Sequence, residues 1–137
     1  MVTDNNEVTL VILDDDSAVV SVLSNLLQDR LHITVEGFTN GAAAMEWLSC
    51  NSAQLLIVDD LMPGPSGLDV VRWLRKQPGH DTTPVLMLTG MDAPSLSAAA
   101  TRAGVNRLIS KPILPDHLLV AVEMLLQPAS HLSLIHI

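Results

Sequence analysis

Five short apolar segments recur along the chain, separated by stretches whose apolar residues follow a helical period. The segments are VTLVIL (8–13), ITVEGF (33–38), QLLIVD (54–59), PVLMLT (84–89) and RLIS (107–110). Several of them are continuously apolar rather than alternating, which is typical of parallel strands that are covered on both faces. We therefore interpret all five as strands of one buried sheet.

A helical pattern follows each of these segments. In the first and third patterns, apolar residues recur at the spacing of helical turns. The second, GAAAMEWLS, is rich in strong helix formers, and the fourth, SLSAAATRAG, is rich in alanine and ends at Gly104, a natural C-cap. The last begins at Pro115, because proline suits a first helical turn. Strand and helix thus alternate five times, which predicts an α/β fold with a doubly wound, five-stranded parallel sheet of (βα)5 topology.

Composition and charge restrict the class of protein. A chain of 137 residues with 48% hydrophobic residues suits one globular domain. The formal net charge of −8 opposes direct binding to nucleic acid, and no apolar run approaches the ~20 residues that cross a bilayer. The acidic N-terminus does not resemble a secretory signal, and a single cysteine, Cys50, fits a reducing compartment. We therefore expect a cytoplasmic protein with no membrane contact.

Polar residues follow four of the five segments, at the points where strands would end. They are Asp14, Asp15 and Asp16 after the first, Asp59 and Asp60 at the third, Thr89 at the fourth, and Lys111 after the fifth. Each has an ordinary structural explanation by itself; Asp16, for example, is expected to cap the first helix. However, the carboxyl ends of parallel strands share one edge of a sheet, so we expect the set to converge in a functional crevice.

Such a set suits phosphoryl transfer to a carboxylate. Clustered carboxylates provide the oxygen ligands that Mg²⁺ prefers, and the cation offsets their repulsion and the charge on a transferred phosphoryl group. A carboxylate nucleophile gives an acyl phosphate, whose oxygens a lysine and a hydroxyl can bind. The strand ends therefore predict a magnesium-dependent phosphoryl acceptor.

Four motifs resemble the response-regulator receiver domain of bacterial two-component signalling. These are VILDDDSAVV, LLIVDDLMPG, VLMLTG and LISKPI, which occur in the order and at the spacing of that family. The resemblance covers residues 8–127 and implies a flavodoxin-like fold. We interpret residues 1–7 as a tail, and residues 128–137, which follow a helix-stopping Pro128, as a tail, the start of a linker or a non-native scar.

The resemblance also implies a role for each site residue. Asp59, four residues before the proline of the MPG turn, would be the phosphoacceptor. The metal ligands would be Asp14, Asp15, Asp59 and the backbone carbonyl of Leu61. Thr89 and Lys111 would be the switch hydroxyl and the phosphate-pairing lysine, and the peptide bond between Lys111 and Pro112 would be cis.

The function implied by the resemblance is a phosphorylation-dependent signalling switch rather than an enzyme. Its partner would be a sensor histidine kinase or a histidine phosphotransfer protein, and the face made by the fourth helix, fifth strand and fifth helix could form a homodimer. Two alternatives remain: a receiver-like interaction module that takes no phosphate, and an aspartate-nucleophile phosphohydrolase of the haloacid-dehalogenase type. Asp14-x-Asp16 imitates the first motif of that enzyme family, but its acidic pair follows the hydroxyl and lysine motifs, whereas here Asp59-Asp60 precedes them.

Four further side chains occupy unusual or variable positions of the family pattern. Asp60 stands where a neutral residue is more frequent; we expect a solvated side chain without a role, the alternative being tighter cation binding. Leu108 replaces a frequent aromatic residue that moves inward on phosphorylation, so we expect the loop after the fourth strand to carry the signal. Leu61 and Met91 would flank the acyl phosphate, and neither can orient an attacking water, which predicts a long-lived phosphoaspartate unless both only pack.

Overall fold

A computed structural model of the chain describes residues 8–90 and 94–127, so the predicted tails, 1–7 and 128–137, lie outside the described residues. The strands are β1 (Thr9–Leu13), β2 (Thr34–Phe38), β3 (Leu55–Asp59), β4 (Val85–Thr89) and β5 (Arg107–Ser110). The helices are α1 (Ser17–Leu31), α2 (Gly41–Cys50), α3 (Gly67–Leu74), α4 (Pro94–Ala103) and α5 (Pro115–Leu125). The predicted alternation of five strands and five helices is confirmed. None of the described helices is long and apolar enough to cross a bilayer.

The sheet is parallel throughout, with the strand order β2-β1-β3-β4-β5. From β1 the chain first adds β2 on one side and then crosses over to add β3, β4 and β5 on the other. This reversal of direction leaves a crevice beyond the carboxyl ends of β1 and β3. The predicted doubly wound topology is confirmed, and it places the acidic ends of β1 and β3 next to each other.

Alternate residues of each strand face two separate apolar layers. In β3, Leu56 and Val58 pack into the layer formed with α2, α3 and α4, whereas Leu55 and Ile57 pack into the layer formed with α1 and α5. Every residue of β3 is buried. Covering on both faces is the physical reason that this segment is continuously apolar in the sequence.

Local hydrogen bonds fix where the helices begin and end. The Asp16 side chain accepts a hydrogen bond of 2.9 Å from the amide of Ala18, so the predicted N-cap of α1 is confirmed. Ser66 and Asp69 form a reciprocal capping box at the start of α3. Gly104 follows α4 with a φ of 103°, a conformation that favours glycine. The caps at Asp16 and Ser66 fix where α1 and α3 begin, on the carboxyl side of the two acidic strand ends.

A buried histidine joins α2 to the segment before β4. His80 is 5% exposed, and its Nε2 lies 3.1 Å from the carbonyl oxygen of Leu48 and 3.2 Å from that of Asn51. Because carbonyl oxygens only accept, Nε2 donates to both. Nδ1 lies 3.0 Å from Thr83 Oγ1. The imidazole therefore ties the C-terminal end of α2 to the segment before β4 through three polar contacts.

Candidate phosphoryl-acceptor site

Two carboxylates and one ammonium group meet at the carboxyl edge of the sheet. Asp14 directly follows β1, Asp59 is the last residue of β3, and Lys111 directly follows β5. Lys111 Nζ lies 2.7 Å from Asp59 Oδ1 and 3.8 Å from Asp14 Oδ2. The lysine thus reaches across the crevice and pairs with both acids.

Asp15 completes a three-carboxylate cluster. One carboxylate oxygen from each of Asp14, Asp15 and Asp59 lies within 4.8 Å of the others. Asp14 and Asp59 are buried, with exposed fractions of 1% and 4%, whereas Asp15 is exposed. The cluster therefore has a buried base and a side that opens to solvent.

Burial perturbs the ionisation of the two inner acids. Desolvation is the main cause that raises the pKa of Asp14, and the negative charge of Asp59 adds to it. Desolvation likewise raises the pKa of Asp59, although the contact with Lys111 works in the opposite direction. For Lys111, desolvation alone would lower the pKa, but the contact with Asp59 and the charges of nearby acids outweigh it and raise the pKa. Burial thus makes the ionised form of the two acids more costly, whereas their charges stabilise the charged form of the lysine.

The oxygens of the two inner acids are suited to a cation. Among the described residues, Asp14 Oδ2 and Asp59 Oδ1 are buried and accept no hydrogen bond of good geometry, and each has only its ion pair with Lys111, at 3.8 Å and 2.7 Å. The other Asp14 oxygen, Oδ1, accepts from the amide of Asp16 at 2.9 Å. Buried charged oxygens without hydrogen bonds are costly. An all-oxygen set of this kind fits a hard divalent cation such as Mg²⁺.

Thr89 has a partner that the sequence did not suggest. Its Oγ1 donates a hydrogen bond of 2.9 Å to Asp60 Oδ2, and the two residues are 1% and 6% exposed. The expectation that Asp60 is a solvated side chain is therefore wrong. Asp60 lies beside Thr89 because the strand register pairs Asp59 with Leu88, the residues that precede them. The sequence does show a polar residue at the end of each of these two buried strands, but only the register shows that the two residues are neighbours.

Of the remaining predicted residues, Leu61, Leu108 and Pro112 lie in the described part of the chain. The Leu61 side chain is 64% exposed, and the role of its carbonyl as a metal ligand stays a prediction. Leu108 is half-buried and packs against the layer of α2, α3 and α4. The Lys111–Pro112 peptide bond is cis, as predicted. Met91 lies outside the described residues, so its place beside the site also stays a prediction.

Fold and site together define a class: a doubly wound α/β domain with an acidic, lysine-containing crevice at the topological switch point. The response regulator receiver domain model matches residues 10–123 of the chain, which therefore belongs to this family. Receiver domains are signalling modules of two-component systems rather than enzymes.

Individual relatives agree with this family. The chain is 32% identical over 119 residues to the cyclic di-GMP phosphodiesterase response regulator RpfG of Xanthomonas campestris pv. campestris (strain 8004), covering 86% of the chain and 32% of that relative. It is 31% identical over 118 residues to chemotaxis protein CheY1 of Helicobacter pylori (strain ATCC 700392 / 26695), covering 85% of the chain and 95% of CheY1. The chain spans between 28% and 51% of the length of several other curated relatives.

Among solved structures, Vibrio cholerae chemotaxis protein CheY4 is similar with a TM-score of 0.83 and 26% identity, covering 87% of the chain and 98% of that structure. This likeness agrees with the flavodoxin-like sheet order described above.

Proposed function

We propose that the domain is a phosphorylation-dependent switch that accepts a phosphoryl group on Asp59 with Mg²⁺. The donor is a phosphohistidine of a sensor histidine kinase or of a histidine phosphotransfer protein. One observation carries the proposal: three carboxylate oxygens lie within 4.8 Å of one another, and the Lys111 ammonium lies 2.7 Å from the oxygen of Asp59. A structural role alone would not require this concentration of partly unsatisfied charge.

The proposed reaction needs only groups of this site and the donor. An oxygen of the Asp59 carboxylate forms a bond to phosphorus as the phosphorus–nitrogen bond of the donor breaks and its electron pair stays on the imidazole. Asp14, Asp15, Asp59 and the carbonyl of Leu61 would hold Mg²⁺, which when bound neutralises charge on the transferred group. Lys111, which pairs with Asp59 in the unmodified protein, would pair with a phosphoryl oxygen in the product.

Phosphorylation would act by shifting an equilibrium between two arrangements of the domain. The output surface is the face of α4, β5 and α5, which would also serve a homodimer. The domain would work in the cytoplasm without binding nucleic acid itself. Leu108 cannot act as a mobile aromatic ring, so the signal would pass through the loop between β4 and α4.

Labelling with acetyl phosphate tests this function directly. Wild-type protein, Asp59→Asn and Asp16→Asn are incubated with the donor, with Mg²⁺ or with EDTA, and the added phosphoryl group is measured by intact-protein mass spectrometry. Asp16→Asn is a matched control because it removes one charge from the same acidic triplet, while asparagine caps a helix as well as aspartate does. We expect Mg²⁺-dependent labelling of wild type and Asp16→Asn, and none of Asp59→Asn.

The other outcomes separate the alternatives. Equal labelling of Asp59→Asn would remove Asp59 as the acceptor. Wild-type protein that is never labelled would favour an interaction module that takes no phosphate. Sustained turnover of a phosphomonoester would favour the phosphohydrolase.

A further inference from the structure

Asp60 and Thr89 are neighbours across the ends of β3 and β4. The register pairs Asp59 with Leu88, so the next residue of each strand lies beside the other. The amide of Asp60 donates to the carbonyl of Leu88 at 3.0 Å, which fixes the main chain at this point. The bond of 2.9 Å from Thr89 Oγ1 to Asp60 Oδ2 is therefore built by the sheet rather than by chance contact of mobile side chains.

Strand alternation directs this pair away from the acceptor. Val58 and Met87 both pack into the layer of α2, α3 and α4. Asp60 and Thr89 each follow two residues later, so both are directed to that same side of the sheet, whereas Asp59 is directed to the other side. In the unmodified protein, the Thr89 hydroxyl is thus engaged on the side opposite the acceptor carboxylate.

From this geometry we infer that Asp60 is a positioning residue that holds the Thr89 hydroxyl in the resting state and competes for it with the phosphoryl group. The inference rests on the proposed function, because the competition exists only when Asp59 carries a phosphoryl group. A threonine hydroxyl has one proton to donate. Donation to a phosphoryl oxygen therefore requires that the bond to Asp60 break. The free energy of that bond thus favours the resting arrangement over the active one.

The carboxylate of Asp60 could also act through its charge alone. A negative group near the site repels an incoming anion whether or not Thr89 is present, whereas the competition requires the hydroxyl. The two accounts make different predictions for Asp60→Asn, which removes the charge but keeps an acceptor. They also differ in a Thr89→Val background, where no hydroxyl remains.

A double-mutant cycle with beryllofluoride, a mimic of the bound phosphoryl group, separates the two. Binding in the presence of Mg²⁺ is titrated by amide chemical shifts for wild type, Asp60→Leu and Asp60→Asn, each with Thr89 and with Thr89→Val. Because a buried hydrogen bond to a charged group is lost on activation, we expect Asp60→Leu to bind the mimic about tenfold more tightly than wild type. The affinity of Asp60→Asn for the mimic should lie between those of wild type and Asp60→Leu. In the Thr89→Val background, the gain in affinity from either substitution should shrink to less than about twofold.

Three other results would contradict the competition for the Thr89 hydroxyl. Equal gains in both backgrounds, or equal gains for Asp60→Leu and Asp60→Asn, would mean that charge alone acts. No gain would mean that Asp60 does not restrain Thr89. If Asp60→Leu does not fold, the Asp60→Asn cycle gives the same decision. Wild-type protein that binds no beryllofluoride with Mg²⁺, or an Asp59→Asn variant that binds it equally well, would overturn the proposed function and this inference together. Every other result leaves the proposed function intact.

Discussion

Replacement of Asp14 by asparagine should stabilise the protein when no divalent cation is present. Asp14 is 1% exposed, and its Oδ2 is a buried charged oxygen without a hydrogen bond of good geometry. Asparagine keeps the Oδ1 acceptor for the amide of Asp16 and places a neutral amide nitrogen near the carboxylate of Asp59. The variant therefore removes a buried charge but retains the local hydrogen bond.

The magnitude follows from the distances in the cluster. With an effective dielectric constant of about 20, repulsion from Asp59 within 4.8 Å is roughly 3–4 kcal/mol, and attraction to Lys111 at 3.8 Å is roughly 4 kcal/mol. These two contributions nearly cancel, which leaves the desolvation of the unsatisfied oxygen, a cost of about 1–3 kcal/mol. We expect Asp14→Asn to raise the free energy of unfolding by that amount at neutral pH, and Tm by roughly 3–10 °C.

The gain should depend on pH in a defined direction. Burial raises the pKa of Asp14 in the folded protein above its ordinary value of 3.8, so the folded state binds this proton more tightly than the unfolded state. The contribution of Asp14 to stability is then most favourable below that ordinary value and is lost as the pH rises through the raised folded pKa. The advantage of Asp14→Asn over wild type should therefore be full at neutral pH and shrink as the pH falls towards 3.8.

Urea unfolding of three variants, with EDTA and with Mg²⁺, checks this reasoning. Asp16 is exposed, so Asp16→Asn should have the same free energy of unfolding as wild type in both conditions. Asp15→Asn, also exposed, should change metal-free stability little but lose the stabilisation by Mg²⁺, which for wild type is about 1.4 kcal/mol at ten times the dissociation constant. Asp14→Asn should lose that stabilisation too. An Asp14→Asn protein that is less stable than wild type in EDTA at neutral pH would refute the argument.

Three further predictions concern the surroundings of the site. In Gly67→Ala, the new Cβ would overlap the carbonyl of Asp59, so we expect a loss of about 1–3 kcal/mol in urea unfolding and slower labelling by acetyl phosphate. His80→Ala removes the hydrogen-bond partner of the buried Leu48 carbonyl, the part-buried Asn51 carbonyl and the Thr83 hydroxyl, and it should cost about 2–3 kcal/mol by the same measurement. Leu61→Asn combined with Met91→Glu should shorten the half-life of the phosphorylated protein, because polar groups at these positions could orient an attacking water.

Each of these three predictions has a control variant or an outcome that would contradict it. Gly64→Ala has open space for a Cβ but a positive φ of 77°, so it should lose stability without the selective effect on labelling expected for Gly67→Ala. His80→Gln retains a donor and should be less damaging than His80→Ala; equal losses would mean that the hydrogen bonds at this position contribute little. An unchanged half-life in the Leu61 and Met91 double variant would show that these two side chains only pack.

The sequence alone determined the order of elements and the class of fold. Segments such as QLLIVD are apolar without alternation because both faces of a central parallel strand are covered, and this pattern is local. Caps are local as well: Asp16 bonds to the amide two residues later, so its role could be predicted from its position before α1. The motifs also identified Asp59 as the expected acceptor.

Tertiary structure alone decided which polar residues meet, and on which side of the sheet. Lys111 contacts Asp59 because the sheet order brings the ends of β3 and β5 to the same edge, and no local pattern encodes that distance. Asp60 bonds to Thr89, which lies 29 residues away in the chain, because the register of β3 and β4 sets them side by side. The same acid was expected to be solvated, since an extra aspartate after a strand end usually faces water. Burial depends on what packs over a residue, and this is fixed only when distant segments come together.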